Sequence, residues 1–364
     1  MVEIILVIGT RPQIIKSAPI ILEAKKHRDI DISIVHTGQH YDYEMSKIFF
    51  NELNLPDPIV NLGVGSSPPV QQITSMMSGL EKVYNDLKPD VVIVPGDTNS
   101  TLAASLSAVK MRIPTAHIES GARSYDMSMP EEINRRIVDH ISSRLYCVTN
   151  NCVNNLLKEG INKDKISLVG DSMYESILQH SEDIKKAKNI EQISKTYGVL
   201  TLHRESNVDD LYKLEKIIKT LFKTNVKIVF PCHPRTLQKL TSLKLIDDIY
   251  KHLYMIEPLP YYEMLSLVKN ASVVITDSGG LQKEAYWLGT PCVTLREETE
   301  WIETVKVGAN IIVGSDTEKI QSAIKTSIID GFKDNGEDKS LLICRASNKI
   351  LNDISTWFGG RKKW

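Results

Sequence analysis

Nine short runs of apolar, largely β-branched residues recur along this chain, and helical patterning fills the intervals between them. The runs cover residues 4–8, 32–36, 91–94, 115–118, 145–148, 198–202, 227–231, 272–276 and 292–295. A strand that is apolar from end to end has no face to spare for water, so such runs read as a parallel sheet covered on both sides. Helices between successive parallel strands supply the right-handed crossovers that such a sheet needs. The chain therefore reads as α/β, with two doubly wound domains. Its 364 residues, 42% of them hydrophobic, suffice for two separate cores. A run closing at Val169-Gly170-Asp171 gives way to a Lys-, Glu- and Asp-rich helical stretch over 177–197, and a new strand opens at Gly198. The first domain is accordingly expected over 1–171 and the second from 172.

Several function classes are disfavoured. Net charge is -1, with 44 basic residues dispersed among 45 acidic ones, so no basic stripe suits a nucleic acid. No apolar run reaches the roughly 18 residues of a membrane span. The opening strand is too short for a secretory signal. Five cysteines, an odd number with no C-x-x-C pair, argue against a disulfide framework or a zinc knuckle. They read as thiols of a cytoplasmic protein, buried as small hydrophobes. No His, Asp and Glu set has metal-ligand spacing, and no G-x-G-x-x-G follows a strand. Neither a metal nor a nicotinamide cofactor is expected.

The polar residues that follow the strands carry the chemistry. Gly9-Thr10-Arg11-Pro12 leads into a helix bearing Lys16, a turn able to face an anion. Asp277-Ser278-Gly279-Gly280 opens a later helix and suits a diphosphate better, through close backbone approach, free amides and a hydroxyl. Glu284 lies one turn further on, placed either to hold ribose hydroxyls or to favour the helix dipole. Three carboxylates follow first-domain strands: Asp97, Glu119 and Glu131. Asp97 is equally readable as a helix N-cap. Ser128-Met129-Pro130-Glu131 reads as a capping box for a helix with Ile133, Ile137 and Ile141 along one face. His203-Arg204 and His233-Pro234-Arg235 follow second-domain strands, where they could meet phosphate or sugar or serve the fold alone.

Taken in order, these segments resemble the non-hydrolysing UDP-N-acetylglucosamine 2-epimerase family. The set comprises G-T-R-P-x-x-x-K, Q-H, G-D-T-N-S-T, H-I-E-S-G-A-R, M-P-E-E-I-N-R, L-H-R-E-S, H-P-R-T, T-D-S-G-G-L-Q-K-E-A and T-E-W-I-E, spread over nearly the whole chain. The resemblance implies the glycosyltransferase-B arrangement of two Rossmann-like domains, with a helix over 346–364 crossing back to the first and the second domain ending at 345. It implies a UDP-sugar substrate held between the domains and a cytoplasmic homodimer. Asp97, Glu119, Glu131, Lys16 and His203 match catalytic positions. Arg11, Gln39, His40, Arg123, Arg204, His233, Ser278, Gly279, Gly280 and Glu284 match substrate-binding ones.

There are departures from the common pattern. Gln13 stands where many members have Glu, Trp301-Ile302 replaces Arg-Pro, and Val169-Gly170-Asp171 replaces G-N-T. The segment between Glu119 and Glu131 is about two residues shorter. With 36–40 (His-Thr-Gly-Gln-His), these traits look more like the branch acting on UDP-2,3-diacetamido-2,3-dideoxy-glucuronic acid. The chemistry implied is elimination of UDP from C1 with removal of the C2 proton, then re-addition through 2-acetamidoglucal. Proton transfer on two faces of the sugar calls for more than one carboxylate. A glycosyltransferase, a hydrolysing epimerase and a nucleotide-sugar sensor are the competing readings.

Overall fold

The computed structural model describes residues 1–39, 43–187 and 196–359. The chain divides into two compact units, one comprising Met1–Gln179 with Ser340–Trp364 and the other His180–Lys339.

In the first unit the strands are β1 (Val2–Ile8), β2 (Ile30–His36), β3 (Val60–Asn61), β4 (Val91–Pro95), β5 (Thr115–Ser120), β6 (Arg144–Cys147) and β7 (Ile166–Leu168). They form one sheet in the order β3-β2-β1-β4-β5-β6-β7, with every pairing parallel. The strand order reverses between β1 and β4, so the loops leaving these two strands diverge at their carboxyl ends and open a crevice there. Gly9-Thr10-Arg11 leaves β1 and Gly96-Asp97 leaves β4.

The second unit contains β8 (Tyr197–Thr201), β9 (Lys227–Pro231), β10 (Tyr254–Ile256), β11 (Val273–Thr276), β12 (Cys292–Thr294) and β13 (Asn310–Ile312). The order is β10-β9-β8-β11-β12-β13, again with parallel pairing throughout. Its switch point lies between β8 and β11, the strands that precede His203 and Ser278. Successive residues of these strands enter opposite faces. Leu200, Ile228, Phe230, Val273, Ile275 and Val293 join one buried cluster. Val199, Val229, Val274 and Cys292 join the other. Each large side chain so buried contributes about 1.5–3 kcal/mol, and burial on both faces is why these strands are apolar without alternation.

All nine expected runs are strands, so the two doubly wound sheets follow the α/β reading. Four strands have no counterpart among the nine runs: β3, β7, β10 and β13. The helical stretch expected over 177–197 is only partly visible. Helices occupy Ser172–Gln179 and Ser181–Lys186, and 188–195 lie outside the described residues. Four cysteines are buried and Cys344 is exposed, and none of the five is disulfide-bonded. Burial pushes the Cys232 and Cys292 thiols up to about 12, which keeps both protonated and inert. Among the described residues, no helix is long and apolar enough to cross a membrane.

Candidate functional site

In the first unit β5 ends irregularly. Its register with β6 shifts between Ile118 and Ser120, and Glu119 adopts a left-handed backbone with φ +68°. A bulge of this kind re-aims a side chain, and a non-glycine residue held there points to function. The Glu119 carboxylate meets the Lys16 ammonium at 2.7 Å, with each side chain 11% exposed. Lys16 reaches this point from the helix Arg11–Ala24. A Cβ placed on Gly96 would stand 3.2 Å from Lys16 Nζ, and Gly96 itself has φ +69°, so the β4 turn passes close against the ammonium.

Asp97 follows that glycine and ion-pairs with Arg135. Its carbonyl accepts a hydrogen bond from Asn134 Nδ2 at 2.9 Å. It does not cap the following helix, because Thr98 is the N-cap and its hydroxyl accepts from the Thr101 amide. Arg135 and Asn134 both come from the helix Pro130–Ile141, which carries Glu131 in its first turn. The expected capping box does not form. Met129 is the N-cap without a side-chain bond, and the Ser128 hydroxyl donates to Asp126 instead. The expected apolar face is inverted as well. Ile133 and Ile137 are exposed, whereas Glu132, Arg135 and Asp139 are buried. Glu131 is half-buried. Its neighbour Glu132 is the carboxylate that the fold consumes, accepting from the Ser124 amide and hydroxyl, Arg135 and Arg136.

Gln39 Oε1 accepts from the Ser100 amide at 3.0 Å and its hydroxyl at 2.6 Å, tying the loop after β2 to the start of the helix Asn99–Lys110. His40 lies outside the described residues. Arg11 is exposed at the first position of its helix. The Gly9 amide is not open to an anion, because it donates to Gln13 Oε1 at 2.8 Å. Gln13 Nε2 in turn donates to the Pro95 carbonyl and the Thr101 hydroxyl, links that a carboxylate in its place could not donate. Arg123, expected among the substrate contacts, is placed otherwise. Its side chain is fully buried and spends its donors on Glu159, Asp139 and the Ala122 carbonyl.

That arginine belongs to a buried polar row which motif reading left without a role. Asp139 accepts from Arg123, the Gly121 amide and His117, and His117 also meets the Gly96 carbonyl. Burial pushes the Asp139 carboxyl up, but His117 and Arg123 outweigh it and hold the group below the usual carboxylate range. Glu159 is treated likewise, raised by burial and brought down further by Arg123. The missed residues were Arg135, Asp139 and His117. Their signal was charge at positions 135 and 139 of a helix whose isoleucines face water.

In the second unit the centre is Asp277, fully buried at the end of β11. It accepts from the His203 and Arg204 amides and from Asn207 Nδ2, and its Oδ1 lies 3.4 Å from His203 Nδ1. The β8 and β11 turns are thereby locked together, with the His203 side chain left 42% exposed. Ser278 caps the helix Gly279–Leu288, its hydroxyl accepting from the Leu281 amide. The Gly279 and Gly280 amides remain at the open end of that helix, where an anion is favoured. A Cβ on Gly279 would meet its nearest neighbours, Trp301, Glu300 and Arg296, only at 3.5–3.8 Å. The packing would therefore admit a side chain there.

Glu284 sits in the second turn of this helix, 7% exposed, and accepts from the Tyr261 hydroxyl at 3.0 Å. Both its depth and its partner differ from those of a surface group serving the dipole. His233 is an exposed N-cap of the helix Pro234–Ser242, its ring nitrogen accepting from the Arg235 amide. Among the described residues, no cluster of three His, Cys, Asp or Glu side chains could hold a metal ion.

Comparison with known proteins follows the same line. The profile of the family described as UDP-N-acetylglucosamine 2-epimerase matches residues 22–355. A UDP-N-acetylglucosamine 2-epimerase of Methanocaldococcus jannaschii is 46% identical over 332 residues, 88% of this chain and 90% of that protein. A UDP-2,3-diacetamido-2,3-dideoxy-D-glucuronate 2-epimerase of Pseudomonas aeruginosa is 40% identical over 92% of this chain and 95% of its own. The M. jannaschii UDP-GlcNAc 2-epimerase crystallised with UDP-GlcNAc and UDP superposes with a TM-score of 0.90 at 42% identity, covering 97% of this chain and 99% of that one.

Proposed function

This chain belongs to the UDP-N-acetylglucosamine 2-epimerase family, and on that premise we propose that it is an isomerase interconverting UDP-GlcNAc and UDP-ManNAc by inversion at C2. The reaction needs no outside oxidant. A carboxylate takes the C2 proton, the C1–O bond to UDP breaks, and the C1–C2 double bond of 2-acetamidoglucal forms. A proton then reaches C2 from the opposite face and a UDP oxygen returns to C1. Asp97, Glu119 and Glu131 are the proton-transfer candidates.

The observation that carries this reading is Glu119. The sheet is broken to present it, in a strained backbone, beside a nearly buried ammonium that bears on the Asp97 turn. UDP is assigned to the Ser278-Gly279-Gly280 turn and Glu284, with His203, Arg204 and His233 at neighbouring strand ends and Arg11 on the anionic substrate. Support comes from the open glycine amides and from a glycine that the protein's own packing does not demand. Donors aimed at a departing diphosphate stabilise the charge that develops on it.

The higher identity to the UDP-GlcNAc enzyme than to the diacetamido-uronate enzyme favours the simpler sugar. Free, mostly buried thiols fit a reducing cytoplasm, and the family likeness supports a homodimer serving polysaccharide synthesis. The test is incubation with UDP-GlcNAc alone in D2O, followed by proton NMR. Epimer carrying deuterium at C2 is expected. Epimer that keeps hydrogen there rules out elimination, and free N-acetylmannosamine with UDP marks a hydrolase. A parallel incubation with the diacetamido uronate decides the sugar.

A further inference from the structure

We propose that His117 is held as a doubly protonated imidazolium and is the positioning residue that sets the Asp97 turn against the Glu119 turn. The inference rests on the reading that those two carboxylates act on the sugar.

The hydrogen bonds fix the protons. His117 lies on β5 with its side chain fully buried. Its Nε2 is 2.7 Å from the Gly96 carbonyl oxygen, which has no proton to give, so Nε2 carries one. Its Nδ1 is 2.7 Å from Asp139 Oδ1. The other oxygen of Asp139 already accepts from Arg123 at 2.7 Å and from the Gly121 amide at 3.1 Å. Those donors mark an ionised carboxylate, so Nδ1 carries a proton too.

Charge balance agrees. The row runs from the Gly96 carbonyl through His117, Asp139 and Arg123 to Glu159, alternating cation and anion, and sums to zero if His117 is charged. A neutral imidazole would leave one excess negative charge in a row whose only opening is Glu159, with 21% side-chain exposure. The Cys147 thiol beside Asp139 is pushed up by burial and adds no charge. Arg136 and His140 reach this row at its Glu159 end, and Arg136 also bonds Glu132.

The geometry says what the row holds. Both polar atoms of Gly96 are engaged, the carbonyl by His117 and the amide by the Ile118 carbonyl at 3.0 Å, and Asp97 is the next residue. On the other turn Asp139 grips the Gly121 amide, and the His117 carbonyl accepts from the Ser120 hydroxyl at 2.7 Å. Glu119 is thus fixed from both sides in its left-handed conformation. The working carboxylates must change charge within each turnover, whereas this row is bonded to the backbone of both turns and so keeps their spacing.

Two measurements on the full chain test this. In histidine-labelled protein at neutral pH, NMR should show one ring with both nitrogens protonated. That signal should vanish in H117N. A neutral tautomer for His117 overturns the proposal. In kinetics, the glutamine of H117Q can reach the Nε2 position and donate to Gly96, whereas the shorter asparagine of H117N cannot. H117N should lose about 10²-fold in kcat, the scale of a small misplacement, with KM nearly unchanged, and H117Q should recover most of it. Parent-like kcat in both variants, with only melting temperature lowered, overturns the positioning role. Should neither variant fold, sequential assignment of the His117 ring in the parent chain still decides its protonation. D97N and E119Q serve as controls: if they remain active, the reading of the carboxylates falls; if they are dead while H117N is active, only this inference falls.

Discussion

Lys16 Nζ and Glu119 Oε2 stand 2.7 Å apart, and each side chain keeps only 11% of its surface in water. Removing one partner of such a pair strands the other, at a cost of up to about 3–5 kcal/mol, whereas neutralising both costs far less. K16M and E119Q should each lower stability, and K16M/E119Q should recover much of the loss. Activity should stay down by about 10²–10⁴-fold in all three. Denaturant titrations beside turnover assays check this, and strictly additive stability losses would refute the coupling.

Adjacent glutamates should behave oppositely. E131Q removes a proton-transfer candidate that is not the N-cap of its helix, so turnover should fall about 10²–10⁴-fold with melting temperature little changed. E132Q puts an amide where four donors converge on a buried carboxylate, so the fold should lose about 3–5 kcal/mol. An E131Q protein that turns over within a few-fold of the parent leaves Asp97 and Glu119 as the acting pair.

Gly279→Ala separates ligand from fold. The nearest protein atoms leave room for the methyl group, and alanine favours a helix over glycine by about 0.5–1 kcal/mol. Stability should therefore hold or rise slightly. Calorimetric affinity for UDP should drop at least about tenfold, equivalent to the net worth of one hydrogen bond. Unchanged affinity would remove the diphosphate from this turn.

Acid should expose Asp139. Its carboxyl ionises below the usual range in the fold and at about 3.9 in the unfolded chain. The stability this difference confers is complete above the unfolded value and drains away as pH falls towards the folded one. Urea midpoints of the parent should therefore decline below about pH 4 more steeply than those of D139N, which is less stable at neutral pH. Parallel declines would show that other carboxylates govern acid unfolding.

Sequence pattern reveals strands buried on two faces and is silent about the rest. β3, β7, β10 and β13 are each two or three residues long, lie at the outer edges of the sheets, and are mostly half-buried. A strand paired on one side needs no apolar run, and residues 166–168 showed only as the approach to Val169-Gly170-Asp171. The site divides along similar lines. Residues at strand ends were legible because turns and carboxylates there have few other uses. Arg123 misled because a motif arginine that braces looks the same in sequence as one that binds. Glu131 and Glu132 are indistinguishable until the helix rotation is known. That rotation was misjudged because the isoleucines face outward while an ionic row occupies the inner face.

The helix Ala346–Gly359 belongs to the same unit as the opening strand. Asp353 meets Arg144 and the Tyr146 hydroxyl, the Trp357 ring lies under the Arg144 guanidinium, and Ser347 and Asn348 bond Glu175 and Glu23. A ribosome reaches these residues only after making all of 180–339. The unit begun first is therefore finished last, and during synthesis its open flank around β6 must wait, shielded or at risk, for more than a hundred residues of unrelated chain to pass.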